Sequence, residues 1–192
     1  IVSGMHSYML EQMGAVGGNV VTVQTNDGRS VRDPRGFPVT LRIEDLEALL
    51  TDSPYFDAGS AENFGSGIIR TANRSTRGSF FRGVTSQAFD VMKLRVARGR
   101  VFLPVEYDSA ARVVVMGADL AQELYANDSP IGQTLVIGEW PFTVVGVLDW
   151  VGDPDAGAIA GPDRGMYVPF KACAAAFTGN ERAGTFRLRL RS

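Results

Sequence analysis

Apolar positions along the chain follow two rhythms, one helical and one alternating. Met5, Met9, Leu10 and Met13 recur at helical spacing with Gly14 behind them, which predicts a helix over 5–13. Asn19–Thr25 (NVVTVQT) is β-branched and predicts a strand. Thr40 is placed to N-cap a helix running to about Leu50, with Leu46, Leu49 and Leu50 turned inward. Residues 55–85 predict two or three strands interrupted at Gly65, Gly67 and Gly78, with Ser79–Thr85 the best of them, and a short helix near Ser86–Met92 follows.

The pattern sharpens further along. Arg112–Met116 is a continuous apolar run, hence a buried strand, and Ala118–Tyr125 sets Leu120, Ala121 and Leu124 on one helical face. Thr134–Ile137 and Phe142–Leu148 flank Gly138 and Glu139, a hairpin signal. Met166–Pro169 reads as a strand and Phe170–Phe177 as a short helix. In Thr185–Arg191, Phe186, Leu188 and Leu190 alternate with Arg187, Arg189 and Arg191, which predicts an antiparallel or edge strand with one wet face. Turn residues gather in Asn26–Pro38 and Asp149–Arg164. The sum is an α+β fold of mixed or antiparallel sheets with short helices.

Composition narrows the class. With 192 residues and 45% apolar content, the chain supports one domain or two compact subdomains, and intrinsic disorder is excluded. A net charge of −2 gives no support to nucleic-acid binding through bulk electrostatics. The single cysteine, Cys173, cannot form an internal disulfide and does not name a compartment. No run reaches the roughly 18 uninterrupted apolar residues of a membrane helix, and no basic segment precedes an apolar one as in a signal peptide. The chain starts Ile1-Val2-Ser3 without an initiator methionine, so the expectation is a piece of a longer protein.

Catalytic chemistry is thin. His6, the one histidine, lies in the terminal segment, and Cys173 sits on a small-residue helix face where a packing role is expected. Glu106 and Asp108 could act as an acid/base pair only in a cleft. Asp153-Pro154-Asp155-Ala156-Gly157 imitates the opening of a calcium loop, but Arg164 stands where the closing glutamate belongs, so a solvated turn is expected. The glycines of Gly14–Asn19 precede a strand rather than follow one, the wrong order for a phosphate loop. Arg70, Arg74, Arg77 and Arg82, interleaved with Phe80 and Phe81, could touch phosphate; wet arginines on strands explain them better. No cofactor, metal or catalytic residue is expected.

An ordered series begins at Gly83-Val84-Thr85-Ser86-Gln87-Ala88-Phe89. It continues through Leu94 and Arg98-Gly99-Arg100-Val101-Phe102, Arg112–Gly117, Ala121 with Leu124-Tyr125, Ser129–Gly138 and Pro141–Leu148, and ends at Tyr167-Val168-Pro169-Phe170. In order and spacing this series resembles the extracytoplasmic core domain of MacB-type and FtsX-like ABC transporter permeases. The resemblance spans roughly 14–192 and is densest over 83–170; Tyr125-Ala126 replaces the family's usual phenylalanine-glycine. Its recurring residues have scaffold roles. Gly99 lets the chain reverse, Arg100 is free to bond carbonyls or a carboxylate, and Pro130 and Gly132 make a tight turn. Gln133 can satisfy loop backbone, and Gly138 serves the hairpin.

The resemblance implies a domain between the first and second membrane helices of a bacterial inner (cytoplasmic) membrane protein, on the periplasmic or cell-surface side. Residues 1–13 would then end a membrane-helix extension. Residues 14–85 and 164–192 would form a porter-like βαβ subdomain, and 86–163 an inserted smaller α/β subdomain. It implies a non-catalytic part that couples ATP-driven helix motion to export or to a partner. The implied partners are the permease's own membrane helices, a cognate ATPase and a periplasmic adaptor protein. Trp140, at the hairpin tip, and Trp150, past its last strand, are the candidate partner contacts, with capping of the core as their plain alternative. A soluble ligand-binding module of a transport or signalling system is the competing reading.

Overall fold

The computed structural model describes residues 19–24, 41–126, 128–152 and 161–191. In chain order these form β1 (Val20–Gln24), β2 (Leu41–Arg42), α1 (Ile43–Asp52), β3 (Phe56–Arg70), β4 (Ser75–Val84), α2 (Ala88–Val91) and β5 (Val96–Gly99). Then come α3 (Pro104–Asp108), β6 (Val113–Met116), α4 (Ala118–Tyr125), β7 (Thr134–Ile137) and β8 (Trp140–Leu148). A 3-10 turn (Pro162–Arg164), β9 (Met166–Pro169), α5 (Phe170–Cys173), β10 (Arg182–Ala183) and β11 (Thr185–Leu190) complete the order. The expected α+β class with mixed sheets and short helices is what the chain adopts. The expected helix over 5–13 lies outside the described residues, as do His6 and Asp153–Gly157. No helix among the described residues is long and apolar enough to cross a membrane.

Among the described residues nine strands share one sheet in the order β1-β11-β3-β4-β9-β6-β8-β5, and β7 bridges β8 back to β3. The pairings β3–β4–β9–β6–β8–β7–β3 therefore close into a ring. Two of its contacts are parallel, β4–β9 and β6–β8, and the rest are antiparallel. The ring is lined by one buried apolar cluster: Ile69, Phe81, Met166, Val168, Val114, Met116, Val144, Phe142, Leu135 and Ile137. Leu120, Ala121 and Leu124 join it from α4, as their helical spacing predicts. A second cluster gathers under α2, where Phe89 meets Phe102 edge-on at 5.3 Å between ring centres and Tyr167 at 5.8 Å. A third lies under α1, from Leu46, Ala61, Phe170, Ala183, Phe186 and Leu188.

Several elements differ from the sequence pattern, for physical reasons. Residues 55–85 make two long strands, and the glycines do not break them. Gly65 sits directly opposite Phe81, and a Cβ on it would lie 2.2 Å from the Phe81 ring, so the missing side chain is the space into which that ring folds. Helix α1 starts at Ile43 with Asp45 Oδ2 accepting the Arg42 amide at 2.8 Å; it buries Leu46, half-buries Leu50 and leaves Leu49 exposed. The helix after β9 widens into a π turn over Ala174–Thr178, closed by Gly179 N–H to Ala174 O at 2.8 Å.

Strand β11 is not an edge: β1 flanks it on one side and β3 on the other. Its arginine face is covered by carboxylates rather than left to water. Arg187 Nε reaches Glu62 Oε1 at 2.5 Å and Arg82 Nη1 lies 3.5 Å from Glu62 Oε2, with the Glu62 side chain fully buried. Arg189 bonds Asp57 at 2.7 Å and Asp90 of α2 at 2.8 Å. Removing one partner of a buried ion pair leaves the other charge without its counterion. Glu62→Gln is therefore expected to destabilise the fold by about 3 kcal/mol in urea unfolding; a loss within about 0.5 kcal/mol would show that Glu62 is not needed for β3–β11 cohesion.

Candidate interaction site

The recurring Gly99-Arg100 pair lies where β5 leaves β8. Gly99 has φ +77°, a left-handed conformation that glycine adopts without strain. The Arg100 amide then donates to Val145 O at 2.9 Å, and the strand opposite is shaved to fit: a Cβ on Gly146 would sit 2.2 Å from Arg100 O. The Arg100 guanidinium forks onto Glu106, 2.7 and 2.8 Å to the two carboxylate oxygens. Glu106 Oε2 also accepts the Leu103 amide at 2.7 Å, which caps α3 behind Pro104. The Arg100 hydrogen bond, aided by the Leu103 amide and opposed by burial, holds the Glu106 carboxyl below its ordinary value. Asp108 faces elsewhere, 3.5 Å from Lys171. The two carboxylates thus belong to separate ion pairs.

The other recurring residues build the approach to the β7–β8 hairpin. Gln133 N–H closes a turn on Pro130 O at 3.0 Å, Gly132 takes φ +81°, and its amide reaches Val144 O at 2.8 Å. The Gln133 carbonyl accepts the Val144 amide at 2.9 Å, so its backbone contributes to the ladder. Gly138, at φ +63°, turns the hairpin and ties it to β3: its amide donates to Ile68 O at 3.0 Å, and its carbonyl accepts Arg70 Nη2 at 2.6 Å. In the arginine stretch, Arg74 Nη1 meets the Glu123 carbonyl at 2.5 Å, and the Arg82 guanidinium stacks 5.1 Å from the Phe64 ring centre. Cys173 is buried, and burial pushes its thiol up to about 11.

The two tryptophans have different settings. Trp140 is half-buried against the ring cluster with the Arg112 guanidinium 4.3 Å above its ring. Trp150 is 67% exposed beside the exposed Val151. A residue the sequence reading passed over fixes this projection: the buried Asp163 accepts the Val151 amide at 2.9 Å and the Gly152 amide at 3.0 Å. In sequence Asp163 looks like any turn aspartate after Gly161-Pro162, and only the fold brings it to 151–152.

Over residues 1–192 the chain matches the family described as MacB-like periplasmic core domain. The chain belongs to that family. It is 28% identical over 188 residues to the macrolide export ATP-binding/permease protein MacB of Aggregatibacter actinomycetemcomitans, covering 98% of this chain and 28% of that protein. It is 25% identical over 192 residues to the probable syringafactin export ATP-binding/permease protein SyfD of Pseudomonas syringae pv. tomato, covering 100% of this chain and 28% of that protein. The chain thus spans little more than a quarter of these curated relatives. The fold matches the crystal structure of the periplasmic region of MacB from Actinobacillus actinomycetemcomitans at a TM-score of 0.75, with 24% identity, over 96% of this chain and 80% of that one. It also matches the extracellular domain of the ABC-type transporter YknZ from Gram-positive bacteria at a TM-score of 0.71, with 23% identity, over 91% of this chain and 84% of that one.

In this MacB-like periplasmic core domain, Gly99, Arg100, Pro130, Gly132, Gln133 and Gly138 all lie in turns or strand junctions around β8. Two expected outcomes follow from their geometry and from that of the tryptophans. Arg100 keeps the folded Glu106 ionised to lower pH than the ordinary 4.5, so the pair stabilises the fold at neutral pH and that stabilisation is lost as pH falls through the lowered value. Glu106→Gln should flatten the acid limb of a stability-versus-pH profile followed by urea unfolding, and an unchanged limb would remove this pair from acid sensitivity. Trp140→Ala should lower stability by about 2 kcal/mol, while Trp150→Ala shifts it by less than about 0.5 kcal/mol, both read from thermal melts.

Proposed function

We propose that this domain is the extracytoplasmic coupling body of an ABC transporter permease, in a bacterial cytoplasmic-membrane protein. Non-catalytic itself, it carries ATP-driven motion of the permease's membrane helices to export or to a periplasmic or surface partner. A cognate ATPase drives it, and an adaptor protein is the natural partner. The observation that carries this reading is that the two ends of the described body lie side by side. Val20 pairs with Arg189, the Leu190 amide donates to Asn19 O at 2.8 Å, and Asn19 Nδ2 donates to Leu190 O at 2.8 Å. A body entered and left at one place fits between two neighbouring membrane helices.

The closed ring of pairings supports transmission as one rigid piece. We take 14–85 with 164–192 as the porter-like part and 86–163 as the inserted part; the α1 cluster draws all its fully buried residues from the first, and the ring cluster draws on both. Trp150 is the proposed partner contact, held out by Asp163, and Trp140 serves mainly to pack the hairpin.

A ligand-binding module is the second reading. It rests on a polar cleft of about 380 Å³ lined by Thr71, Asn73, Arg74, Tyr125, Asp128 and Gln133. One experiment on the parent transporter separates the two. Flexible glycine-serine linkers inserted before Asn19 and after Arg191 should abolish export while ATP hydrolysis persists. Export that survives the linkers would overturn the coupling body and leave the ligand-binding module.

A further inference from the structure

We propose that the free edge of β5 docks an extended acidic segment of a partner protein, which adds to the sheet as one more strand. β5 ends the nine-stranded order and, among the described residues, pairs only with β8, so its other side offers backbone groups that no described strand takes up. Three of its four residues are exposed. In the pairing order β5 stands at the opposite end from β1.

The side chains around this edge select the occupant. Lys93, Arg95 and Arg98 are exposed, and among the described residues none of the three makes an ion pair. The nearby acids are mostly committed: Glu106 to Arg100, and Asp90 to Arg189. Asp149 remains, its Oδ1 accepting the Trp150 amide at 3.0 Å. Among the described residues, three cations against one carboxylate make a cationic edge on a chain whose net charge is −2. The Asp149 amide donates to Arg95 O at 2.8 Å, which continues the β5–β8 pairing and leaves the exposed Trp150 and Val151 just past the end of that pair. Backbone pairing and positive charge along β5, with an exposed aromatic side chain beyond the end of the β5–β8 pair, fit an acidic strand with an apolar residue at its end.

Charge and the bulge between Val96 and Arg98 also discourage this edge from pairing with ordinary strands. Toward a carboxylate-rich strand the same cations attract, so the guard doubles as a filter. The inference rests on the coupling-body reading only for the partner's place in the periplasm or at the cell surface.

The test titrates the 192-residue chain with a short acetylated peptide alternating glutamate and valine, read by fluorescence anisotropy and amide hydrogen exchange. The expected result is saturable binding that weakens with salt and slows exchange only over 95–99. The triple variant Lys93→Glu, Arg95→Glu, Arg98→Glu should bind at least about tenfold more weakly, and Trp150→Ala several-fold more weakly. Should the triple variant fail to fold, Arg98→Gln alone should weaken binding about threefold. Equal affinity in the folded variants, or protection elsewhere, overturns the proposal. So does self-association of the triple variant with unchanged peptide affinity, which would make the charges purely protective. Charge-dependent binding to phosphatidylglycerol vesicles without peptide binding would overturn it in favour of a membrane contact. Because the peptide assay needs no transport, its failure sinks the docking edge alone, and export surviving the linkers sinks the coupling body alone.

Discussion

The long β3–β4 hairpin is the constraint on which the rest of this fold depends. β3 pairs with β11 along its first half, with β4 over most of its length and with β7 at its end, so one strand fixes the position of three others. All three apolar clusters take residues from the hairpin: Ile69 and Phe81 in the ring, Val84 under α2, Ala61 under α1. Yet β3, FDAGSAENFGSGIIR, has little intrinsic preference for extended structure. Its neighbours hold it extended: the Phe81 ring lies over Gly65, and Arg82 and Arg187 converge on Glu62. Tertiary context here overrides local propensity.

That dependence explains which parts of the fold were legible in the sequence. Ala118–Tyr125, Met166–Pro169 and the hairpin around Gly138 carry their own signals, apolar periodicity in the first, a short unbroken apolar run in the second and turn chemistry in the third, and they form where those signals place them. The glycines in β3 look like breaks until the cross-strand phenylalanine is known. The arginines of β11 look wet until Glu62, Asp57 and Asp90 arrive from 57–90, far away in sequence. Helix α3 has no apolar stripe and is set by Pro104 and by Glu106 reaching back to Leu103, a local capping signal that hydrophobic spacing does not carry. At the candidate site, the tryptophans were visible as residues; what separates them is the burial of one and the Asp163 clamp beneath the other.

The charged residues also divide the surface. Arginine outnumbers lysine heavily, and its planar fork suits the paired contacts found at Glu106 and at Asp57 with Asp90. The Arg100–Glu106 pair is local, whereas the Arg189 contacts join elements distant in sequence, β11 to β3 and to α2, and act as fasteners between them. Lys93, Arg95 and Arg98 lie outside that network, so the β5 edge keeps a positive field while Arg82, Arg100, Arg164, Lys171, Arg187 and Arg189 are each set against a carboxylate.

The adjacency of Asn19 and Leu190 also has a mechanical side. A push delivered to both ends in the same direction loads β1 and β11 together, and their hydrogen bonds carry almost none of it because the strands do not move relative to each other. A pull that separates the two ends works across the same ladder from its outermost bond, so the bonds open in succession, as in a zipper. The strand pair is therefore stiff toward concerted displacement of Asn19 and Leu190 and weak toward their divergence, a directional compliance set by two antiparallel strands paired at that end.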